Sequence, residues 1–447
     1  MPSQQLSTAQ RLAEALTALS WEDVPDTARH MARRCVLDAI ACAAAGTQHE
    51  AVQAATAWAT RTFSPGNASI WFTSRRSSSV AAGFANAFAS SVLDIDDGHR
   101  GAQGHPGAAI IPAVLAEAEH LGASNEYALL AIICGYEAGI GVARSRDPAC
   151  LSIVATGRWS AIGVAAAIGK LRGLASSQLA DALAIAEAHA PNLIAADHAG
   201  FLGGDVKEGI PWSVIAGFAA ADLAQSGLRG YRSSLDNAAL YRSGLAASVN
   251  TNALLIETTY FKPYACCRWI HSAIDAVLGI GPDRVPGTAI DRVEIGTFRR
   301  AATLRNPARP SDIIAAQFSV PFAVALAYES GPAAMLPISP SVLGDEKILH
   351  LAEKIHVHVE KELDDMYPDK VPARVRIFAD GLMLEREVHV PKGDPANPMT
   401  DVELVDKAAK LMSGIATDSM LRSAIASLLS PNVSGAMLRA LTAKQVA

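Results

Sequence analysis

From Gln5 to about Val249 the apolar residues recur at helical spacing, as over residues 32–45, 108–120, 126–142 and 161–171, and several of these stretches are apolar nearly all round. A helix that is apolar around its whole circumference belongs in the middle of a bundle and not on its skin. Gly, Pro and Asn/Asp mark the breaks between these stretches. Past Thr258 the texture changes: residues 293–298, 355–359, 375–379 and 385–390 alternate or carry β-branched side chains, with Asp380-Gly381 as a hairpin turn between the last two. This second part reads as α+β. After Pro398-Met399 the helical pattern returns over residues 402–411 and 418–429, a tail predicted to pack back onto the first part. The predicted fold class is therefore mainly α. Residues 1–258, completed by residues 405–447, form a large all-helical domain, and residues 259–404 form a smaller α+β domain.

Length and composition agree with two domains, since 447 residues exceed what one ordinary core holds. Half of the residues are hydrophobic and only 18% are charged, with much alanine, which suits close-packed helices. The net charge of -6 comes from interspersed acids and bases without a basic stripe, so nucleic acid is not an expected partner. No apolar run is read as a membrane span, because Glu137 interrupts the longest one. A polar N-terminus without an apolar signal core leaves a cytoplasmic location as the expectation. The six cysteines never fall as Cys-x-x-Cys, which argues against a zinc ribbon or a disulfide framework.

The densest polar cluster in an apolar setting is Asp94-Ile95-Asp96-Asp97-Gly98-His99-Arg100-Gly101-Ala102-Gln103-Gly104-His105-Pro106, directly before an apolar helix. Charges placed between buried helices cost desolvation energy, and that cost points to use. Pro106 and the small residues after it suit a helix start whose free N–H groups hold a carboxylate. For any single acid, capping a helix or pairing with Arg100 is the plainer explanation; for the whole cluster, function is favoured. Its spacing matches neither a zincin nor an EF-hand, so no metal is expected. A second segment runs from Lys262 through Tyr264, Cys266, Cys267 and Arg268 to His271 and Asp275, where an i, i+4 spacing lets the acid orient the imidazole. The third, Gly203-Gly204-Asp205-Val206-Lys207-Glu208-Gly209, offers Lys207 as a carboxylate anchor.

Taken in order, the chain resembles the MmgE/PrpD family, which includes 2-methylcitrate dehydratases, cis-aconitate decarboxylases and an iminodisuccinate epimerase. The markers are Leu93-Asp94-Ile95-Asp96-Asp97 with Gly104-His105-Pro106, Gly135-Tyr136-Glu137, Lys207-Glu208-Gly209, the Lys262 to Asp275 run, Gln317-Phe318-Ser319-Val320-Pro321-Phe322, and Pro391-Lys392-Gly393-Asp394-Pro395 with Asn397-Pro398. The resemblance implies a cleft between the two domains, a homodimer, and active-site groups at Asp94, His105, Lys207 and Lys262. The chain also departs from the family pattern: Arg158 lies in a stretch that lacks a family histidine, Phe322 replaces a tyrosine, and Gly141 replaces an arginine.

Losing two proton donors favours epimerisation, which only removes and returns an α-proton. The leading expectation is accordingly a two-base epimerase or racemase acting on an amino-dicarboxylate such as iminodisuccinate, with no cofactor. In that scheme Lys207, Lys262 and Arg100 or Arg158 hold carboxylates, with His271 also at the substrate, His105 and Asp94 supply or orient one base, and Lys262, Tyr264 or His99 is a candidate for the other. The alternatives are a hydro-lyase or decarboxylase on a tricarboxylate, and a non-catalytic carboxylate-binding protein; in each the partner is a small di- or tricarboxylate.

Overall fold

The computed structural model describes residues 6–147, 155–193, 204–242, 246, 249–281 and 285–413, together with positions 422, 425, 427, 429 and 430. Nine helices of three or more turns occupy the described residues before Thr258: α1 Thr8–Ala18, α2 Asp26–Gly46, α3 Glu50–Thr62, α4 Ser79–Ser91, α5 Gly107–Leu121, α6 Asn125–Ser145, α7 Gly157–Leu171, α8 Ser176–His189 and α9 Ile210–Gln225. Side-chain caps set several starts. Ser78 and Ser124 accept the N–H three residues on, and Ser7 forms a reciprocal capping box with Gln10.

The nearly all-apolar stretches are the buried inner helices, α5, α6 and α7 among them. Small residues let them approach: a Cβ on Gly163 of α7 would stand 2.8 Å from the Gly135 carbonyl oxygen of α6. By length and composition α6 qualifies as a membrane span, Glu137 notwithstanding, yet 89% of its most apolar window is buried inside the protein. One feature departs from an all-helical reading. Ala68–Ser69 (β1) and Arg76–Ser77 (β2) form a short antiparallel ribbon, held to the end of α5 by Glu119, which accepts the Ser69 N–H at 2.7 Å.

The later part carries a four-stranded sheet in the order β4-β3-β5-β6, from Arg292–Thr297 (β3), Ile355–Val359 (β4), Ala373–Ala379 (β5) and Leu382–Val388 (β6). β3 runs parallel to β4 and antiparallel to β5; β5 and β6 form the hairpin anticipated at Asp380-Gly381, both of whose residues have positive φ. Ala373, Val375, Ile377 and Ala379 point inward from β5, toward α10 (His271–Ile280). The chain then returns to the helical part, where the helix Asp401–Leu411 packs on α2. Fully buried, its Lys407 meets Asp38 of α2 at 2.6 Å and also donates to the Ile95 carbonyl at 2.7 Å. Farther on, Arg33 reaches the Leu429 carbonyl at 3.2 Å; the rest of the predicted helix 418–429 lies mostly outside the described residues.

Candidate active site

Two strand-like segments meet at the site. Gly98 and Tyr260 exchange both backbone hydrogen bonds, at 3.0 and 2.8 Å, joining the loop after α4 to the chain that leaves the helical part. A Cβ on Gly98 would lie 2.3 Å from the Tyr260 ring, so the position requires glycine. Adjacent residues of α6 hold the two segments. The Tyr136 hydroxyl donates to Asp97 at 2.6 Å, while Glu137 accepts the Leu255 N–H at 2.6 Å and the Ile256 N–H at 3.3 Å. Burial pushes Glu137 up to about 8, and burial with nearby Asp38 pushes Asp97 up to about 7.

At the centre is Asp94, 1% exposed, whose carboxylate binds the Lys207 ammonium at 2.7 Å and the Lys262 ammonium at 3.1 Å. Burial alone would favour the neutral acid. Lys207 and Lys262 more than reverse it and hold the Asp94 carboxyl well below the usual carboxylate range. Asp94, Lys207 and Glu208 all adopt positive φ, a strain of order 1–3 kcal/mol for each non-glycine residue. The ion cluster is therefore built on backbone that ordinary packing would not select.

His105 completes the cluster. Its Nδ1 lies 3.0 Å from the Asp97 carbonyl oxygen and 3.4 Å from Asp96, leaving Nε2, 3.8 Å from Asp94, as the nitrogen free to exchange a proton. Burial and Lys262 each pull the imidazolium down, but Asp96, with Glu208, raises its pKa above the ordinary histidine value. Asp96 is 1% exposed and neither of its oxygens has a hydrogen-bond partner, so it acts on His105 through charge at close range. Ligand atoms of Asp94, Asp96 and His105 do fall within 4.8 Å of one another. The imidazole, however, turns opposite nitrogens to the two acids, and two ammonium groups already flank Asp94. That arrangement suits proton transfer better than it suits an ion cage.

Asp94 and His105 line a cleft with Arg100, Gln103, Glu208, Tyr260, Cys267, Arg268, Trp269, Phe318, Tyr367 and Asp394. Lys207 stacks behind it over the Phe318 ring at 5.7 Å. Of the residues singled out from sequence, Asp94, His105, Lys207, Lys262 and Arg100 come together. Lys262 is expected either as a carboxylate-holding cation or as a base, and its setting suits the cation: fully buried, it donates to the Asp94 backbone carbonyl at 2.9 Å and pairs with the Asp94 carboxylate at 3.1 Å, and Asp94 and Asp96 raise its pKa against the effect of burial.

The remaining four residues serve other structures. Both nitrogens of His99 are engaged, Nδ1 by the Ala102 N–H at 3.1 Å and Nε2 by the Thr258 hydroxyl at 2.8 Å, and burial lowers its pKa to about 3. Tyr264 donates to Asp275 at 2.7 Å, and Arg158 is held by Glu187 at 2.5 Å. His271 is not paired with Asp275. Its Nδ1 accepts from Arg268 at 3.2 Å and its Nε2 faces the Cys266 carbonyl, while Asp275 takes the Lys392 N–H at 2.7 Å. Two further expectations fail on geometry. Phe322 is a core residue with no exposure, and the N–H of Gly107 at the start of α5 is taken by Asp97 at 2.9 Å and is not free for a ligand.

Residues 10–250 match the MmgE/PrpD N-terminal domain and residues 264–429 the MmgE/PrpD C-terminal domain. The chain belongs to the MmgE/PrpD family. Among similar proteins is a cis-aconitate decarboxylase of Aspergillus terreus, 25% identical over 460 residues that span 90% of this chain and 89% of the fungal protein. A cis-aconitate decarboxylase-like protein of Aspergillus oryzae is 25% identical, covering 94% of this chain and 93% of its own. Human cis-aconitate decarboxylase is 29% identical over 250 residues, 52% of this chain and 48% of the human protein. Two of the three are named as cis-aconitate decarboxylases and one as a cis-aconitate decarboxylase-like protein; none of the three is named as an epimerase.

Sequence reasoning passed over Asp96, Arg268, Asp394 and Tyr367. For Asp96 a signal was present, its place between two residues of the same acidic cluster. Arg268 and Asp394 stood inside quoted motifs, but their meeting joins positions 126 residues apart, which no local pattern shows.

Proposed function

We propose that the protein is a lyase that decarboxylates an unsaturated tricarboxylate of the cis-aconitate kind, with His105 as the proton donor. The supporting observation is the single poised imidazole: Nδ1 anchored on the Asp97 carbonyl and Asp96, Nε2 beside an ammonium-flanked carboxylate, all at the wall of one cleft. In such a reaction the bond from the chain to one carboxylate breaks and CO2 leaves. Its electron pair stays on the chain, spread through the double bond onto a remaining carboxylate, and the His105 proton closes the C–H bond. Lys207 and Lys262 provide fixed positive charge close to where this negative charge develops.

An epimerase needs a second base on the opposite face of the substrate. None of the three residues expected to supply it is free to do so: Lys262 is held protonated, Tyr264 is bound to Asp275, and His99 has both nitrogens engaged. The two substitutions that favoured epimerisation, Arg158 and Phe322, do not line the cleft. One donor, with none of the three expected second bases free, suits a reaction that takes up one proton per turnover.

The test is to incubate purified protein separately with cis-aconitate, 2-methylcitrate and each iminodisuccinate stereoisomer, following CO2 release and chiral chromatography. CO2 from cis-aconitate is expected. Interconversion of iminodisuccinate isomers without any CO2 release defeats the proposal.

The protonated imidazole is the donor, so activity is present below the raised His105 pKa and is lost as pH climbs through it. Asp96→Asn removes the main charge that raises that pKa. The alkaline limb of kcat/KM should therefore move to lower pH, and a limb that stays in place would show that Asp96 does not act on His105.

A further inference from the structure

The cleft lining contains a second carboxylate set between two cations. Asp394 accepts from Arg100 at 2.8 Å and stands 3.8 Å from Arg268. Arg268 is 6% exposed and is held rigidly: it donates to the Lys392 carbonyl at 2.8 Å and to His271 Nδ1 at 3.2 Å, and lies 4.6 Å over the Tyr260 ring. His271, driven neutral by burial and by Arg268 itself, is thereby an acceptor that orients the guanidinium.

Arg268 nevertheless keeps a buried Nε–H without an acceptor among the described residues, and in the same lining the buried Tyr367 hydroxyl has no partner among them either. Tyr367 is fixed by stacking on Phe298, with ring centroids 4.5 Å apart. Buried donors are normally satisfied. Two guanidinium groups that share one carboxylate, one of them with a spare Nε–H, and an unsatisfied hydroxyl in the same lining make a binding site for an anion with paired oxygens.

We propose that Arg268, Arg100 and Tyr367 form a second carboxylate subsite, which grips a substrate carboxylate that is retained through the reaction and so selects tricarboxylates over dicarboxylates. The proposal rests on reading the cleft as a polycarboxylate site and adds to it where the non-reacting end is held. Asp394 splays the two guanidinium groups and His271 aims one of them, so both are positioning residues here.

Propane-1,2,3-tricarboxylate, which has no double bond to react, is the probe; butanedioate and pentanedioate are its dicarboxylate controls. By calorimetry the wild-type protein should bind the tricarboxylate about tenfold or more tighter than either control. Tyr367→Phe deletes only the hydroxyl and should lose about tenfold for the tricarboxylate with unchanged melting temperature; Arg268→Lys should lose at least as much, measured where the variant is folded. A tricarboxylate preference that survives in both variants, or that is absent from the wild type, overturns the subsite. The lyase reading fails separately: a preference lost in the variants while the wild type releases no CO2 from cis-aconitate leaves the subsite standing without that reaction. CO2 release with unaltered binding in the variants does the reverse.

Discussion

His105→Asn should lower kcat by roughly 10²–10⁴-fold, the usual contribution of a positioned proton donor, with little change in melting temperature. Asparagine is chosen because its amide N–H falls near the position of Nδ1 and still serves the Asp97 carbonyl, the contact that ties residue 105 to the loop. What the variant loses is the titrating Nε2 alone. Substrate affinity should stay near wild type, since the cations of the cleft remain in place, so the loss should appear in kcat and not in KM. Steady-state kinetics beside thermal denaturation separates these effects. Activity within tenfold of wild type in a folded variant would remove His105 from the chemistry and, with it, the proposed mechanism.

The sequence was informative wherever one local pattern carried the information. Apolar periodicity placed α2, α5, α6 and α7, the last three most plainly, because a helix packed on all sides has to be apolar on nearly all sides. Alternation and Asp380-Gly381 placed β5, β6 and their turn, because few residues other than glycine and its small polar neighbours tolerate the two positive φ values there. The cost of a buried polar cluster pointed to residues 94–105, and motif order added Lys207 and Lys262. All of these meet at Asp94.

What stayed hidden was the role of each group, since a role depends on partners distant in the chain. Helical spacing offered Asp275 to His271, but Asp275 instead binds Tyr264 and the Lys392 N–H, and the imidazole serves Arg268. His99 and His105 look alike within one loop, yet the Thr258 hydroxyl and the Ala102 N–H occupy both nitrogens of the first, while the nearby Asp96 carboxylate raises the pKa of the second. Lys262 read as a possible base because nothing local indicates that two buried acids hold it protonated. The same long-range logic explains Tyr136 and Glu137, whose side chains diverge to Asp97 and to the Leu255 N–H and so fasten both segments that carry the site.

The other large effect is expected far from the cleft. Lys407→Met should destabilise the protein by about 3–5 kcal/mol, because it leaves Asp38 as a fully buried carboxylate without its cation. Burial already raises the Asp38 pKa even with Lys407 present, so without the ammonium it rises further. The penalty is then largest at neutral and alkaline pH and shrinks toward the ordinary carboxylate range, where Asp38 is protonated in the folded and unfolded chain alike. Adding Asp38→Asn should recover a large part of the loss, the signature of a coupled pair. Urea denaturation of the two single variants and the double variant at two pH values measures both effects. A single variant within about 1 kcal/mol of wild type at neutral pH would show that the pair is not held as described. Activity should fall as well, at temperatures where the variant remains folded. Lys407 also donates to the Ile95 carbonyl, between the two acids that govern Lys262 and His105, so the helix Asp401–Leu411 helps fix the geometry of the loop that carries Asp94 and Asp96, more than 300 residues before it.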